Sequence, residues 1–195
     1  MEPLATPKDL DGYGINYDGS ETLAQRLLGS VSAAVRDAAG CPISRGEYTL
    51  TIPSEVSRKL DLPCRPVISV ASVLIDGEEC DDWRLFGNAL YREGLWGTPD
   101  GIPRPVTITL TAGYDPVPAD IVRLVCSMVA AGLTQHENGG PGADRSKAYE
   151  RIDDYQVGFR QGGDEVIDAS ELPESTKRAL RNRFGSPGIS IGVFK

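Results

Sequence analysis

Histidine is nearly missing from this sequence: His136 is the one imidazole in 195 residues. General acid–base catalysis and zinc binding both lean on that side chain, and His136 stands beside the glycine-rich run Gly139-Gly-Pro-Gly142, so it reads as a solvated helix end. Cys41, Cys64, Cys80 and Cys126 lie too far apart for a Cys-x-x-Cys pair, which removes zinc-site spacing and leaves buried, reduced thiols as the expectation. A glycine-rich phosphate loop, a Gly-x-Ser-x-Gly elbow and a His-Glu-x-x-His pair are all missing. Positive charge is scarce, with 20 Lys and Arg against 28 Asp and Glu and a net charge of −8. Tight phosphate gripping needs clustered cations that release counterions, so this balance disfavours a DNA clamp; it is compatible with a wall that DNA slides past and equally with charge that keeps a monomer soluble. No apolar run reaches the length of about 18 residues that crosses a bilayer, and Glu2, Pro3 and Lys8 interrupt what would be the apolar centre of a signal peptide. A cytoplasmic origin, no membrane, no metal and no cofactor are the expectations.

Turn residues, by contrast, are plentiful: 22 glycines and 14 prolines argue against a compact helical bundle. The hydrophobic share of 40% is enough for one domain with its own core. Residues 1–19 are polar and turn-rich and read as an N-terminal arm. A helix over 20–40 follows, with Ser20 as its cap, Leu23, Leu27, Val31, Val35 and Ala38 on one face, and Gly40 and Pro42 as the stop. Period-two alternation then predicts an antiparallel β region over 47–112, with strands at 48–52, 67–75, 83–86, 89–92 and 106–110. Asp76-Gly77 and Gly87-Asn88 suit hairpin turns, so neighbouring strands are expected to pair in sequence order. Trp96, in the loop 94–103, is either a core plug or an exposed anchor. A broadly apolar helix over 118–134 is expected at the centre of the fold, followed by a strand over 149–160 and a helix over 170–184. The fold class is thus α+β, a helical core of about three helices with an inserted small antiparallel β region and extended N- and C-terminal arms.

Three features bear on function. The adjacent carboxylates Asp81-Asp82 and Asp153-Asp154 would suit a magnesium-dependent nuclease, but neighbours on a strand point to opposite faces and turn capping accounts for both pairs. Lys177, Arg178, Arg181, Arg183 and Lys195 concentrate positive charge in an acidic chain; they form a solvated helix end, a docking surface for an acidic partner, or a contact for passing DNA. The last segment, 185–195, alternates Ile189, Ile191 and Val193 with no partner strand in the sequence, the pattern of a tail that adds to another subunit's sheet or packs on its own domain.

The stretch Thr111-Ala-Gly-Tyr-Asp-Pro-Val-Pro-Ala-Asp-Ile121, a strand running through a proline-punctuated turn into an apolar helix, resembles the head-to-tail adaptor (connector or head-completion) proteins of tailed bacteriophages. Leu4–Leu10, Ala39-Gly-Cys-Pro-Ile43, Leu62-Pro-Cys-Arg-Pro-Val67, Ser72–Gly77 and Ile152–Val157 follow the order of that family and spread the resemblance over most of the chain. The resemblance implies a structural virion protein without catalytic residues, made in the host cytoplasm and placed in the neck. There it would form a dodecameric ring between the portal protein and a stopper, head-closure or tail protein, around the channel through which genomic DNA passes. It divides the chain into an arm (1–19), an adaptor domain (20–184) and a C-terminal docking tail (185–195). Portal docking would then fall on Arg178, Arg181, Arg183, Phe184, Ile189, Ile191, Val193, Phe194 and Lys195. The Gly- and Tyr-containing stretch of the arm and the loop 93–105 depart from the family pattern. A stand-alone module binding carbohydrate or an accessory protein through its β region is the alternative, with the nuclease behind it.

Overall fold

The computed structural model describes residues 1–137 and 172–185. Among these residues four helices, α1 (Pro7–Gly12), α2 (Glu21–Ala39), α3 (Ala119–Glu137) and α4 (Glu174–Phe184), accompany seven strands. The strands are β1 (Gly46–Pro53), β2 (Lys59–Asp61), β3 (Val67–Ile75), β4 (Glu78–Glu79), β5 (Trp83–Phe86), β6 (Ala89–Arg92) and β7 (Pro105–Ala112). The α+β class stands, as do both hairpin turns: β5 and β6 pair around Gly87-Asn88, whereas across Asp76-Gly77 β3 pairs with the two-residue β4 and not with 83–86, which joins the other sheet.

Pairing in sequence order does not hold beyond those hairpins. The strands form two antiparallel sheets, β1-β7-β3-β4 and β2-β6-β5, and the last strand, β7, is central to the larger one. The reason lies in β7 itself: Val106, Ile108, Leu110 and Ala112 are fully buried on one face, and a strand that apolar is best satisfied with a neighbour on each side. Its other face carries threonines that bond across to β1, Thr107 to Thr51 at 2.9 Å and Thr109 to Thr49 at 3.1 Å. Alternation announces which side chains are buried; it does not name the partner strand.

Helix α2 ends as expected, with Gly40 left-handed at φ 67° and its N–H donating to the Asp37 carbonyl. It does not begin as expected, because the Ser20 hydroxyl makes no capping bond, and the Glu21 carboxylate instead accepts from the Gly19 N–H at 3.1 Å. The face of α2 that points inward is centred on Ala24, Leu28, Val31, Val35 and Ala38, while Leu23 and Leu27 lie at its half-buried margin. α2 packs against both α3 and α4. Within the N-terminal segment, Thr6 and Asp9 form a capping box that starts α1, the buried Ser32 hydroxyl accepts from the Leu4 N–H at 2.8 Å, and Leu4, Ala5 and Leu10 enter the core.

Trp96 is a core plug, 1% exposed, with its indole N–H donating to the Arg58 carbonyl at 3.1 Å. Two further bonds, Trp96 N–H to the Ser57 carbonyl and Gly97 N–H to the Glu55 carbonyl, staple its loop to the β1–β2 connection. All four cysteines are buried and unpaired. Burial pushes Cys41 and Cys126 up to about 11 and Cys64 up to about 12, so these three stay protonated and unreactive at neutral pH.

Candidate interaction surface

The turn from β7 into α3 is where the chain's distant parts meet. Gly113 N–H donates to the Pro66 carbonyl at 2.9 Å, Tyr114 N–H to the Ile43 carbonyl at 2.8 Å, and Arg45 N–H to the Tyr114 carbonyl at 2.8 Å. The Arg65 N–H donates to the Phe184 carbonyl at 3.0 Å, and the Tyr114 and Phe184 rings meet edge to face with centroids 5.8 Å apart. One turn thus joins the α2–β1 connection, the β2–β3 connection, the start of α3 and the end of α4. The Tyr48 hydroxyl adds a bond to the Ser44 carbonyl at 2.8 Å.

That arrangement fixes the end of α4. Gly185 follows α4 directly, its N–H donates to the Arg181 carbonyl, and its α-carbon lies so close to α2 that a Cβ would sit 2.7 Å from the Ala39 carbonyl oxygen. Leu172, just before this helix, and Leu180 and Phe184 within it turn inward, while Arg178 and Arg181 stay exposed. Between α2 and α4 runs a groove whose rim carries Lys177, Arg178 and Arg181 together with Asp37 and Glu174, a surface of mixed charge. Lys177 bonds Glu174 at 2.7 Å, which with the other cations of the helix holds the Glu174 carboxyl below its ordinary range.

The predicted docking residues therefore separate. Arg178 and Arg181 are available at the surface. Arg183 is engaged with Asp120 in the first turn of α3, a pairing of a cation at one helix C-terminus with an anion at another's N-terminus. Phe184 does not reach the surface at all; it is 0% exposed, and its ring fastens α4 to Tyr114. The remaining members, Ile189, Ile191, Val193, Phe194 and Lys195, lie outside the described residues, as does the strand expected at 149–160. Because Arg183 and Asp120 are both about half exposed, Arg183→Gln is expected to cost no more than about 1 kcal/mol in urea unfolding. A larger loss would mean that the Arg183 guanidinium, through Asp120 and through its place 4.8 Å from the Phe184 ring centroid, does more to hold the helix than its exposure implies.

Elsewhere, Asp82 accepts from the Cys80 thiol at 3.1 Å and pairs with Arg92 at 3.1 Å, and these two partners, Cys80 first, keep its carboxyl below the usual range. Asp153 and Asp154 lie outside the described residues, and among the described ones no three His, Cys, Asp or Glu side chains gather around a point that would hold a metal. His136 is exposed in the last turn of α3. No described helix is long and apolar enough to cross a membrane. A surface that motif reading missed is the outer face of β5–β6, where Phe86 is 78% and Tyr91 39% exposed. The alternation in Trp83–Phe86 and Ala89–Arg92 held the signal, since Leu85 and Leu90 pointing inward require Phe86 and Tyr91 to point out.

No protein-family model and no curated protein matches the chain. Among solved structures, it is similar to a chain in "Virion of native gene transfer agent (GTA) particle", at 22% identity over 61% of this chain and 69% of that one, with a TM-score of 0.43. It is likewise similar to a chain in "Neck of empty GTA particle computed with C6 symmetry", at 20% identity over 61% of this chain and 70% of that one, with a TM-score of 0.44.

Proposed function

We propose that this chain is a structural protein of a tailed-phage neck, a head-to-tail adaptor that assembles as a ring, dodecameric in the family it resembles. In this role it joins the portal protein to the stopper or tail and lines part of the DNA exit channel. The observation that carries the reading is the convergence at one turn of three segments on which the sequence resemblance rests. Ala39–Ile43, Leu62–Val67 and Thr111–Ile121 are far apart in the chain, and Ile43, Pro66, Gly113 and Tyr114 bond to one another through their backbones. A core junction built from the family-like motifs supports a shared architecture; function follows from what that junction presents. It presents the end of α4, where Gly185 is held against α2 and two exposed arginines stand on the helix before it.

In this reading Arg178 and Arg181 meet the portal at the rim, and Ile189, Ile191, Val193 and Phe194 supply apolar contact, with Lys195 adding charge. Phe184 and Arg183 position the helix rather than touch the partner. An overall charge of −8 keeps the channel wall from adhering to the passing phosphates. The exposed Phe86–Tyr91 pair favours a second reading, a stand-alone module that binds through its β region, for which the tail is dispensable. Deleting residues 186–195 separates the two. The truncated chain is expected to keep its urea midpoint and to lose attachment to portal-bearing, tailless heads imaged by electron microscopy. Full attachment without those residues would sink the docking role of the tail.

A further inference from the structure

On the small sheet, Leu60, Leu85 and Leu90 face inward, while Arg84, Phe86 and Tyr91 face out. The Phe86 and Tyr91 rings stand edge to face with centroids 6.3 Å apart. Arg84 lies directly opposite Tyr91 in register, and no described carboxylate forms an ion pair with it. Aromatic rings beside an arginine are the composition of interface centres, where they bury area at small entropic cost. A phenylalanine left in water on one subunit gains from being covered by another.

The same chain carries the opposite charge a short way off. The β3–β4 turn and the residues after it hold Asp76, Glu78, Glu79, Asp81 and Asp82; Asp76 pairs with Arg104 at 3.4 Å and Asp82 with Arg92 at 3.1 Å. Glu78, Glu79 and Asp81 are exposed and have no cationic partner among the described residues. Arg92 sits opposite Trp83 at the open end of the β5–β6 hairpin, whereas Phe86 sits opposite Ala89 at its turn. Three residues of strand separate the two ends by about 10 Å. The acidic turn at the open end and Phe86 at the turn are therefore about 10 Å apart on one protomer, with Arg84 and Tyr91 between them.

We infer that the outer face of β5–β6, with Arg84, Phe86 and Tyr91, docks the acidic Glu78, Glu79 and Asp81 turn of a second copy of this chain. Two different patches in contact make a heterologous interface, the kind that closes rings when the rotation per subunit allows it. Opposite charges at the edge guide the encounter, and the aromatic pair supplies the buried centre. The inference rests on the ring reading above and names the surface that builds the ring.

The test uses the full chain in sedimentation velocity over a range of concentrations and salt, beside decoration of tailless heads. Phe86→Ser is expected to weaken self-association about tenfold or more while leaving the circular dichroism spectrum and urea midpoint unchanged. Arg84→Glu and Glu79→Lys are each expected to weaken it. The two together in one chain are expected to restore it in part, because the exchanged charges then face each other across the interface with their signs reversed. Association should fall as salt rises. A chain that stays monomeric both in solution and on heads, or a double variant no better than either single one, would overturn the inference. Complete collars formed equally by wild type and Phe86→Ser would overturn it while leaving the adaptor reading in place. Self-association that Phe86→Ser abolishes, with no attachment to heads, would support the interface and remove the adaptor reading.

Discussion

Gly113→Ala is expected to cost about 2–5 kcal/mol of stability, the sum of left-handed backbone strain and a forced steric rearrangement. The backbone at Gly113 has φ 96°, which an alanine rarely adopts, and a Cβ there would collide with the Ser44 carbonyl oxygen and lie 2.8 Å from the Ile43 carbonyl oxygen. Neither atom belongs to a flexible side chain. Both sit in the short segment whose carbonyls and N–H groups bond to Tyr114, so retreat of Ser44 breaks the Tyr114 N–H to Ile43 and Arg45 N–H to Tyr114 bonds as well. With a urea slope of about 2 kcal/mol/M, the midpoint should fall by about 1–2.5 M. Gly29→Ala is the matching control: it lies inside α2 with no atom near a built Cβ, and there the change should stabilise by about 0.5–1 kcal/mol. If Gly113→Ala loses less than about 1 kcal/mol, a scale on which ordinary point changes fall, the junction is softer than its hydrogen bonds imply.

Phe184→Ala should cost about 3–5 kcal/mol, the range for emptying a fully buried aromatic site. The ring is wholly enclosed and forms the edge-to-face contact with Tyr114, while α4 itself is only 11 residues long. A helix that short has little stability of its own and depends on its packed face. Losing the ring leaves Leu172, Leu180, the half-exposed Arg183–Asp120 pair and the Arg65 N–H bond to the residue 184 carbonyl to hold it. Hydrogen exchange over 174–184 should therefore quicken more than exchange in β7, and Phe184→Leu should recover most of the loss. Unchanged exchange in α4 would show that these remaining contacts suffice. In the adaptor reading, the Phe184→Ala chain also loses head attachment, since the end of α4 is no longer held in place.

The contrast between these two residues and their sequence surroundings shows what a linear reading reaches. Gly113 and Pro116 are visible as a break between strand and helix, but the carbonyl that forbids a Cβ belongs to Ser44, and nothing local to Gly113 reveals it. Phe184 ends an amphipathic helix rich in arginine and so reads, along the chain, as part of a docking surface; the ring that covers it comes from Tyr114, far away in sequence. Ser20 has the right chemistry for a cap, yet the neighbouring Glu21 carboxylate reaches the Gly19 N–H instead. In the candidate site, the arginines of α4 were legible because a charged helical face needs no partner to be recognised. The apolar tail was legible as alternation alone.

Hydrophobic periodicity, turn residues and charge are properties of neighbours in the chain, and by themselves they determined the α+β class, both hairpin turns, the two alternating faces of β7 and the acidic balance. They also determined that no familiar catalytic motif is spelled out. Pairing of β7 between β1 and β3, the division into two sheets, and the enclosure of Trp96 and Phe184 were decided only by the tertiary structure. The physical reason is that burial is a cooperative property of surfaces brought together from distant positions, and its free energy depends on which of many apolar faces meet, not on the pattern that made each face apolar.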